Sequence, residues 1–126
     1  MTIEALGYIN SCLDDELKIP YQFMEWTSTP VPETYWTGEY AEVESMNEDG
    51  LEESTFILTG TTKKKYFELE SVKQNLKEYF PAYGKKAILD NGSAIVVMYS
   101  DSYPVPSIQE GVHRVQVNLK IKEWRC

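Results

Sequence analysis

The last stretch of the chain, Arg114 to Trp124, reads RVQVNLKIKEW. Val115, Val117, Leu119 and Ile121 alternate with Arg114, Gln116, Asn118, Lys120 and Lys122. A period of two predicts a half-buried strand, apolar toward a core and basic on its other face. Thr34–Ser45 reads as a strand on the β-propensity of Tyr35, Trp36, Tyr40 and Val43. Glu53–Thr61 resumes a strand after the turn-forming NEDG at Asn47–Gly50, so the two should pair as an antiparallel hairpin. Ala87–Leu89 is a short apolar strand, and Asn91-Gly92 after it is a two-residue hairpin signal with both residues at positive φ. Ala94–Tyr99 is almost wholly apolar and predicts a central strand buried on both faces. Tyr21–Glu25 is compatible with one more short strand, and Pro30 and Pro32 make the following stretch an extended connector.

Two segments change period. Thr2 is placed to cap a helix over residues 2–17, with Ile3, Leu6, Ile9 or Asn10, Leu13 and Leu17 at three-four spacing, Glu4 near its positive end and Pro20 beyond it. KKKYFELESVKQNLKEYF, residues 63–80, predicts a second helix with Leu69, Val72, Leu76, Tyr79 and Phe80 on its apolar stripe. Pro81 and Gly84 stop it. The order is α-β-β-α-β-β-β. It implies a two-layer α+β fold, a mainly antiparallel sheet with helices packed on one face. At 126 residues the chain reads as a single domain, 1–126. A domain of that size buries roughly two thirds of its unfolded surface and needs no staple.

Composition narrows the function. Net charge is -8, which argues against binding nucleic acid by neutralising phosphates. No apolar run approaches the roughly 18 residues that span a bilayer, so no membrane partner is expected. The start lacks a basic segment followed by an apolar one, so synthesis in the cytoplasm is expected. The two cysteines, Cys12 and Cys126, make neither a disulfide framework nor metal-ligand spacing, and Cys12 reads as a small apolar packing residue.

Candidate chemistry is sparse. His113 is the sole histidine and precedes the last strand without a cysteine nucleophile near it, so it reads as a strand-entry residue. No serine sits in a G-x-S-x-G turn, and LTGTTKKK offers one glycine where a phosphate cradle needs several. Glu42 and Glu44 share a strand face, and Asp49, Glu52 and Glu53 surround the turn. Acid-base catalysis needs two carboxylates in a cleft with separated pKa values, and a solvated hairpin does not provide one. The same acids lack the alternating oxygen pattern of an EF-hand. The chain therefore reads as a non-enzyme with no catalytic, cofactor-binding or metal-binding residues and no cofactor.

The charge layout is more informative. Between Val31 and Thr62 there is no lysine or arginine but eight acids: Glu33, Glu39, Glu42, Glu44, Glu48, Asp49, Glu52 and Glu53. Basic residues gather at Lys63–Lys65, on the second helix, at Lys85 and Lys86, and on the last strand. Two readings are open. One is a solvated hairpin with cross-strand ion pairs worth a few tenths of a kcal/mol each. The other is a head-to-tail contact, acidic surface on basic surface, that closes into a ring of copies. The candidate contact residues are Glu42, Glu44, Glu48, Asp49 and Glu52 on one side and Arg114, Lys120, Lys122 and Trp124 on the other. Trp36 and Tyr40 are either further anchors or core.

TFILTGTT, the amphipathic helix after it, AILDNGSAIVVMYS, YPVPS and RVQVNLKIKEW resemble small proteins from the tail-morphogenesis regions of prophages in Gram-positive bacteria. The opening MTIEALGYINSCLDDELKIPYQF and the element order resemble phage tail terminator, or tail completion, proteins. The resemblance covers most of the chain and is weakest between Glu25 and Trp36. It implies a structural virion protein, made in the host bacterial cytoplasm. Such proteins form a ring, usually a hexamer, at the head-proximal end of the tail. The ring stops tube growth and joins the head-tail connector, so the implied partners are further copies, the tail-tube protein and connector proteins. DNA crosses the lumen, and an acidic lining would repel it. The acidic hairpin is the candidate lumen-facing or tube-facing element. Alternatives are another phage neck or minor tail component, an acidic DNA mimic or other binding module, and an enzyme of unrecognised type.

Overall fold

A computed structural model gives the architecture; it describes residues 1–43, 50–107 and 109–124. Helix α1 (Ile3–Ser11) runs into a π-helical turn (Cys12–Glu16), followed by strands β1 (Tyr21–Phe23), β2 (Thr34–Val43) and β3 (Leu51–Thr62). Helix α2 (Phe67–Tyr79) leads to β4 (Lys85–Ile88), β5 (Ala94–Val105) and β6 (His113–Trp124). All six strands form one sheet in the order β1-β2-β3-β6-β5-β4. Every pairing is antiparallel except β1 on β2. The α+β class and the single helical layer agree with the sequence reading. The short parallel strand β1 is the addition, at the stretch where Tyr21–Glu25 was compatible with a strand.

The inner, helix-facing side of the sheet is set by parity. In β6 it carries Val115, Val117, Leu119 and Ile121, and in β3 Phe56 and Leu58, all essentially buried. Opposite register places Trp36 beside Gly60 and Gly38 beside Leu58. A Cβ on Gly60 would lie 2.7 Å from the Trp36 ring, and one on Gly38 2.7 Å from the Phe56 ring. The two glycines are thus the space that the large aromatics occupy. Trp36 is fully buried, which removes it from the candidate interface anchors. Tyr40 remains 38% exposed.

Helix α1 packs through Ala5, Ile9, Cys12 and Leu13, and α2 through Leu69 and Leu76, with Phe80 just beyond it. Of the expected stripe, Leu6, Ile9, Leu13 and Leu17 reach the core, while Ile3 in the first turn is exposed. The start of the helix is anchored to the sheet. Thr2 caps the helix by accepting from the Ala5 N–H, and its hydroxyl donates to Glu123 on β6. Lys63–Lys65 precede α2 rather than opening it.

Two further expectations are corrected. The β4–β5 loop is not a two-residue turn: Leu89 and Ser93 pair, Gly92 donates to the Leu89 carbonyl, and only Gly92 of the two turn residues takes positive φ. The Asn91 side chain accepts from the Ser93 N–H, which Asn91 does without a left-handed backbone. Strand β5 is not buried on both faces. Ile95 and Val97 are buried, whereas Ala94, Val96 and Met98 alternate onto the other face and stay partly exposed. Its apolar run has helices behind it and none in front. The NEDG turn lies outside the described residues except for Gly50, which has φ of 76°.

Candidate assembly surface

The outer face of the sheet carries the even positions of β6 and, by register, the odd positions of β3 and β2. From β6 come Arg114, Gln116, Asn118, Lys120, Lys122 and Trp124. Ala94, Val96 and Met98 of β5 lie opposite Trp124, Lys122 and Lys120. Lys86 and Ile88 of β4 lie opposite Val96 and Ala94. The result is an apolar depression lined by Ile88, Ala94, Val96 and Trp124, with Lys86 at its rim. Ile88 is 74% and Trp124 37% exposed. Ile88 and Trp124 are thus exposed apolar residues beside half-buried Ala94 and Val96, with Lys86 and Lys122 next to them.

The candidate contact residues separate into three groups. Lys122 lies 3.9 Å from Glu53, its cross-strand partner, so part of the basic face is balanced within the sheet. Lys120 is exposed between Thr55 and Met98, and Arg114 between Thr61 and Val105. Neither makes an ion pair among the described residues. Glu42 and Glu52 belong to the inner face, at the same end as Glu123. The amino group of Met1 pairs with Glu42 and lies 3.6 Å from Glu52. These two acids hold the start of α1 to the sheet. Glu44, Glu48 and Asp49 lie outside the described residues.

Glu123 was not among the candidates. It is 2% exposed, and its carboxylate accepts from the Thr2 hydroxyl at 2.6 Å and the Thr2 N–H at 3.3 Å. Its odd position continues the series Val115–Ile121, so parity alone assigns it to the core. A carboxylate there must find donors, because an unpaired buried charge is costly.

Acids and bases also cluster along the strands, with Lys122 among the acids and Glu33 among the bases. Glu42, Glu52, Glu53 and Glu123 gather at the end where β2 and β6 finish. Lys63, Lys64 and Lys65 follow β3 at the opposite end, where Thr62 pairs with His113 and Thr61 with Arg114. Lys64 is within 3.7 Å of Glu33, and both are solvated, so that pair contributes little. His113 is exposed and meets Tyr66 edge-on, with ring centroids 6.2 Å apart.

Behind the sheet, Tyr79 donates a hydrogen bond to the buried Cys12 thiol at 3.6 Å. Burial pushes the Cys12 thiol up, and burial with the Cys12 contact raises Tyr79 as well. Tyr8, beside the same thiol, is pushed up to about 12, chiefly by burial. This packed, neutral cluster has the thiol inside and protonated, the opposite of a reactive cysteine. Among the described residues, no three histidine, cysteine or acidic side chains gather as metal ligands. No described helix is long and apolar enough to cross a membrane.

No protein-family model matches the sequence, and no curated protein matches it either. Solved structures do share the fold. One, which carries no functional name, superimposes with a TM-score of 0.68 at 14% identity, covering 100% of this chain and 98% of its own. Another is a chain from the virion of a native gene transfer agent particle, with a TM-score of 0.69 at 9% identity, covering 97% of this chain and 94% of its own. This chain therefore has, from end to end, the same fold as a protein of that virion.

Proposed function

We propose that this chain is a structural protein of a phage-like particle, acting as a tail terminator. Copies form a ring at the head-proximal end of the tail tube, stop tube growth and present a surface to the head-tail connector. The observation that carries the reading is the end-to-end fold match with a gene transfer agent virion chain. The sheet's open, apolar and basic outer face is what a protein built to sit among neighbours needs. On this reading Arg114, Lys120, Lys122 and Trp124 contact a neighbouring copy or the tube protein.

Another neck or minor tail component would rest on the same fold match. The DNA-mimic reading is weakened, because Glu42 and Glu52 are engaged by the amino group of Met1 at the start of α1. A mimic needs its carboxylates outward, spaced like phosphates.

The test is tube assembly. Tail-tube protein encoded in the same genome is polymerised with and without this chain, and lengths and ends are recorded by electron microscopy. A terminator caps tubes with a ring and shortens the length distribution at rising concentration. Unchanged lengths and bare ends would sink the terminator role.

A further inference from the structure

Among the described residues the sheet has two open edges, and they are complementary. Strand β1 pairs with β2 only at Trp36, Thr37 and Gly38. From Glu39 to Val43 the outside of β2 has no strand beside it among the described residues. At the far side β4 is the last strand, with β5 on one flank only.

Hydrogen-bond alternation shows which backbone groups face these edges. Trp36 donates its N–H to the Pro20 carbonyl, and Gly38 offers its carbonyl to the Met24 N–H. Trp36 and Gly38 therefore point away from β3, and so do Tyr40 and Glu42, two and four residues on. At the other edge Leu89 donates to the Ser93 carbonyl, so Leu89, Ala87 and Lys85 face β5. The N–H and C=O of Lys86 and Ile88 face outward.

We propose that β4 of one copy adds, in parallel, to the open half of β2 of the next copy, so that the sheet runs on from subunit to subunit. Three features agree. First, β2 and β4 run in the same direction, since three antiparallel steps lead from β3 to β4 and one separates β2 from β3. A head-to-tail ring repeats one orientation, so its joining strands must be parallel.

Second, the alternation fits a parallel join. Lys86 with its side chain outward lies beside Ala41, donates to the Tyr40 carbonyl and accepts from the Glu42 N–H. Antiparallel pairing of these edges would set outer-face residues against inner-face ones. In this register all four β4 residues meet β2, and a slip of two residues toward Gly38 would collide with β1. Third, the charges are opposite. The open half of β2 carries Glu39 and Glu42, and β4 carries Lys85 and Lys86. Glu39 and Lys86 share the outer face, both are exposed, and neither makes an ion pair among the described residues. The apolar depression at Ile88, Val96 and Trp124 adjoins the same seam.

The inference rests on the ring reading of the proposed function and names its seam. A short, lysine-bearing edge strand can also serve only to discourage pairing, and the experiment separates the two. Ala41→Cys and Lys86→Cys are placed together in a Cys12→Ala, Cys126→Ser background, with each single cysteine as control. Neighbouring strands sit about 4.8 Å apart, within disulfide reach. Mild oxidation of the assembled protein, alone or with tail-tube protein, is read on a non-reducing gel, beside sedimentation of the unoxidised sample.

A ladder of covalent oligomers from the double variant, absent from both singles, is expected. In the unmodified background Lys86→Glu should lose assembly at an unchanged melting temperature, and adding Glu39→Lys should restore it. Oligomers by sedimentation without a ladder would overturn the seam and leave the ring standing. A single-copy species under every condition would overturn both. Assembly indifferent to Lys86→Glu would leave the lysine as edge protection and refute the charge pairing.

Discussion

The two faces of the sheet obey the same alternation and serve different ends. On the inner face Phe56, Leu58, Leu119 and Ile121 are fully enclosed, and Gly38 and Gly60 yield their volume to neighbouring rings. On the outer face Ala94, Val96 and Met98 repeat the apolar pattern in front of open solvent. The inner face is explained by the chain itself. The outer face leaves Ile88 and Trp124 exposed, beside Lys122 paired with Glu53 and beside Lys120 and Arg114, which make no ion pair among the described residues. The contrast teaches that burial decides the inner face of this fold, and on the proposed function association would decide the other. A substitution's effect should then depend on which face it touches.

The largest effect is expected on the inner face. Phe56→Ala removes a fully buried ring between Gly38 and the core and should cost about 3–5 kcal/mol in urea unfolding. Gly60→Ala inserts a methyl into the Trp36 ring and should cost about 1–3 kcal/mol by overpacking. A stable Gly60→Ala protein would mean that Trp36 is held less tightly than its contacts require.

Next comes the polar anchor between the layers. Glu123→Ala leaves the Thr2 hydroxyl and N–H without their acceptor and should cost about 1–3 kcal/mol. Thr2→Ala loses the cap and the hydroxyl donor of the buried Glu123 carboxylate, and should cost about 2–4 kcal/mol. The two belong to one network, so the double variant should fall short of the sum. Strict additivity in a double-mutant cycle would dissolve the anchor.

A pH effect follows from the cluster behind the sheet. Tyr8 is pushed up to about 12, and Cys12 and Tyr79 are also raised, first by burial. Groups raised in the folded state keep protons that the unfolded chain releases sooner. Stability is therefore complete below their ordinary values and declines as pH rises through the raised ones. Melting temperature should fall between about pH 9 and 12, and Tyr8→Phe with Cys12→Ala should flatten that fall. A slope unaffected by the double variant would place the alkaline sensitivity elsewhere.

The smallest effects on stability belong to the outer face. Lys120→Glu should change unfolding free energy by no more than about 0.5 kcal/mol, because Lys120 is solvated and makes no ion pair among the described residues. Lys122→Glu turns the Glu53 pair into a repulsion and should cost up to about 1 kcal/mol. A large loss at Lys120 would mean that the basic face is internal structure after all.

How much of this was legible depended on which interaction decided each element. Alternation in RVQVNLKIKEW placed Arg114 to Lys122 and Trp124 on the faces they occupy, because a one-residue slip would turn every side chain over. The apolar run of β5 was misread as two-sided, because the sequence shows hydrophobicity and not what covers it. On α1 the expected stripe fails only at Ile3. The start of the helix is tied to β6 by Thr2 donating to Glu123, a contact between residues 121 positions apart that no local period reports. The in-sheet half of the basic face, Lys122 with Glu53, needed the strand register to be seen. Glu42 is exposed and Glu52 half-buried, and their contact with the amino group of Met1 is one that no local pattern reports. Glu123 alone carried a signal that went unused, an acid at a core parity.

The most direct test of the outer face as an assembly surface compares wild type with a Lys120→Glu, Trp124→Ala variant. Each is sedimented with the tail-tube protein of the same genome, after unfolding shows both to be folded. The account predicts a wild-type ring or ring-capped tube and a folded, single-copy variant. Equal assembly of the two, or a wild type that stays single with tube protein present, would contradict it.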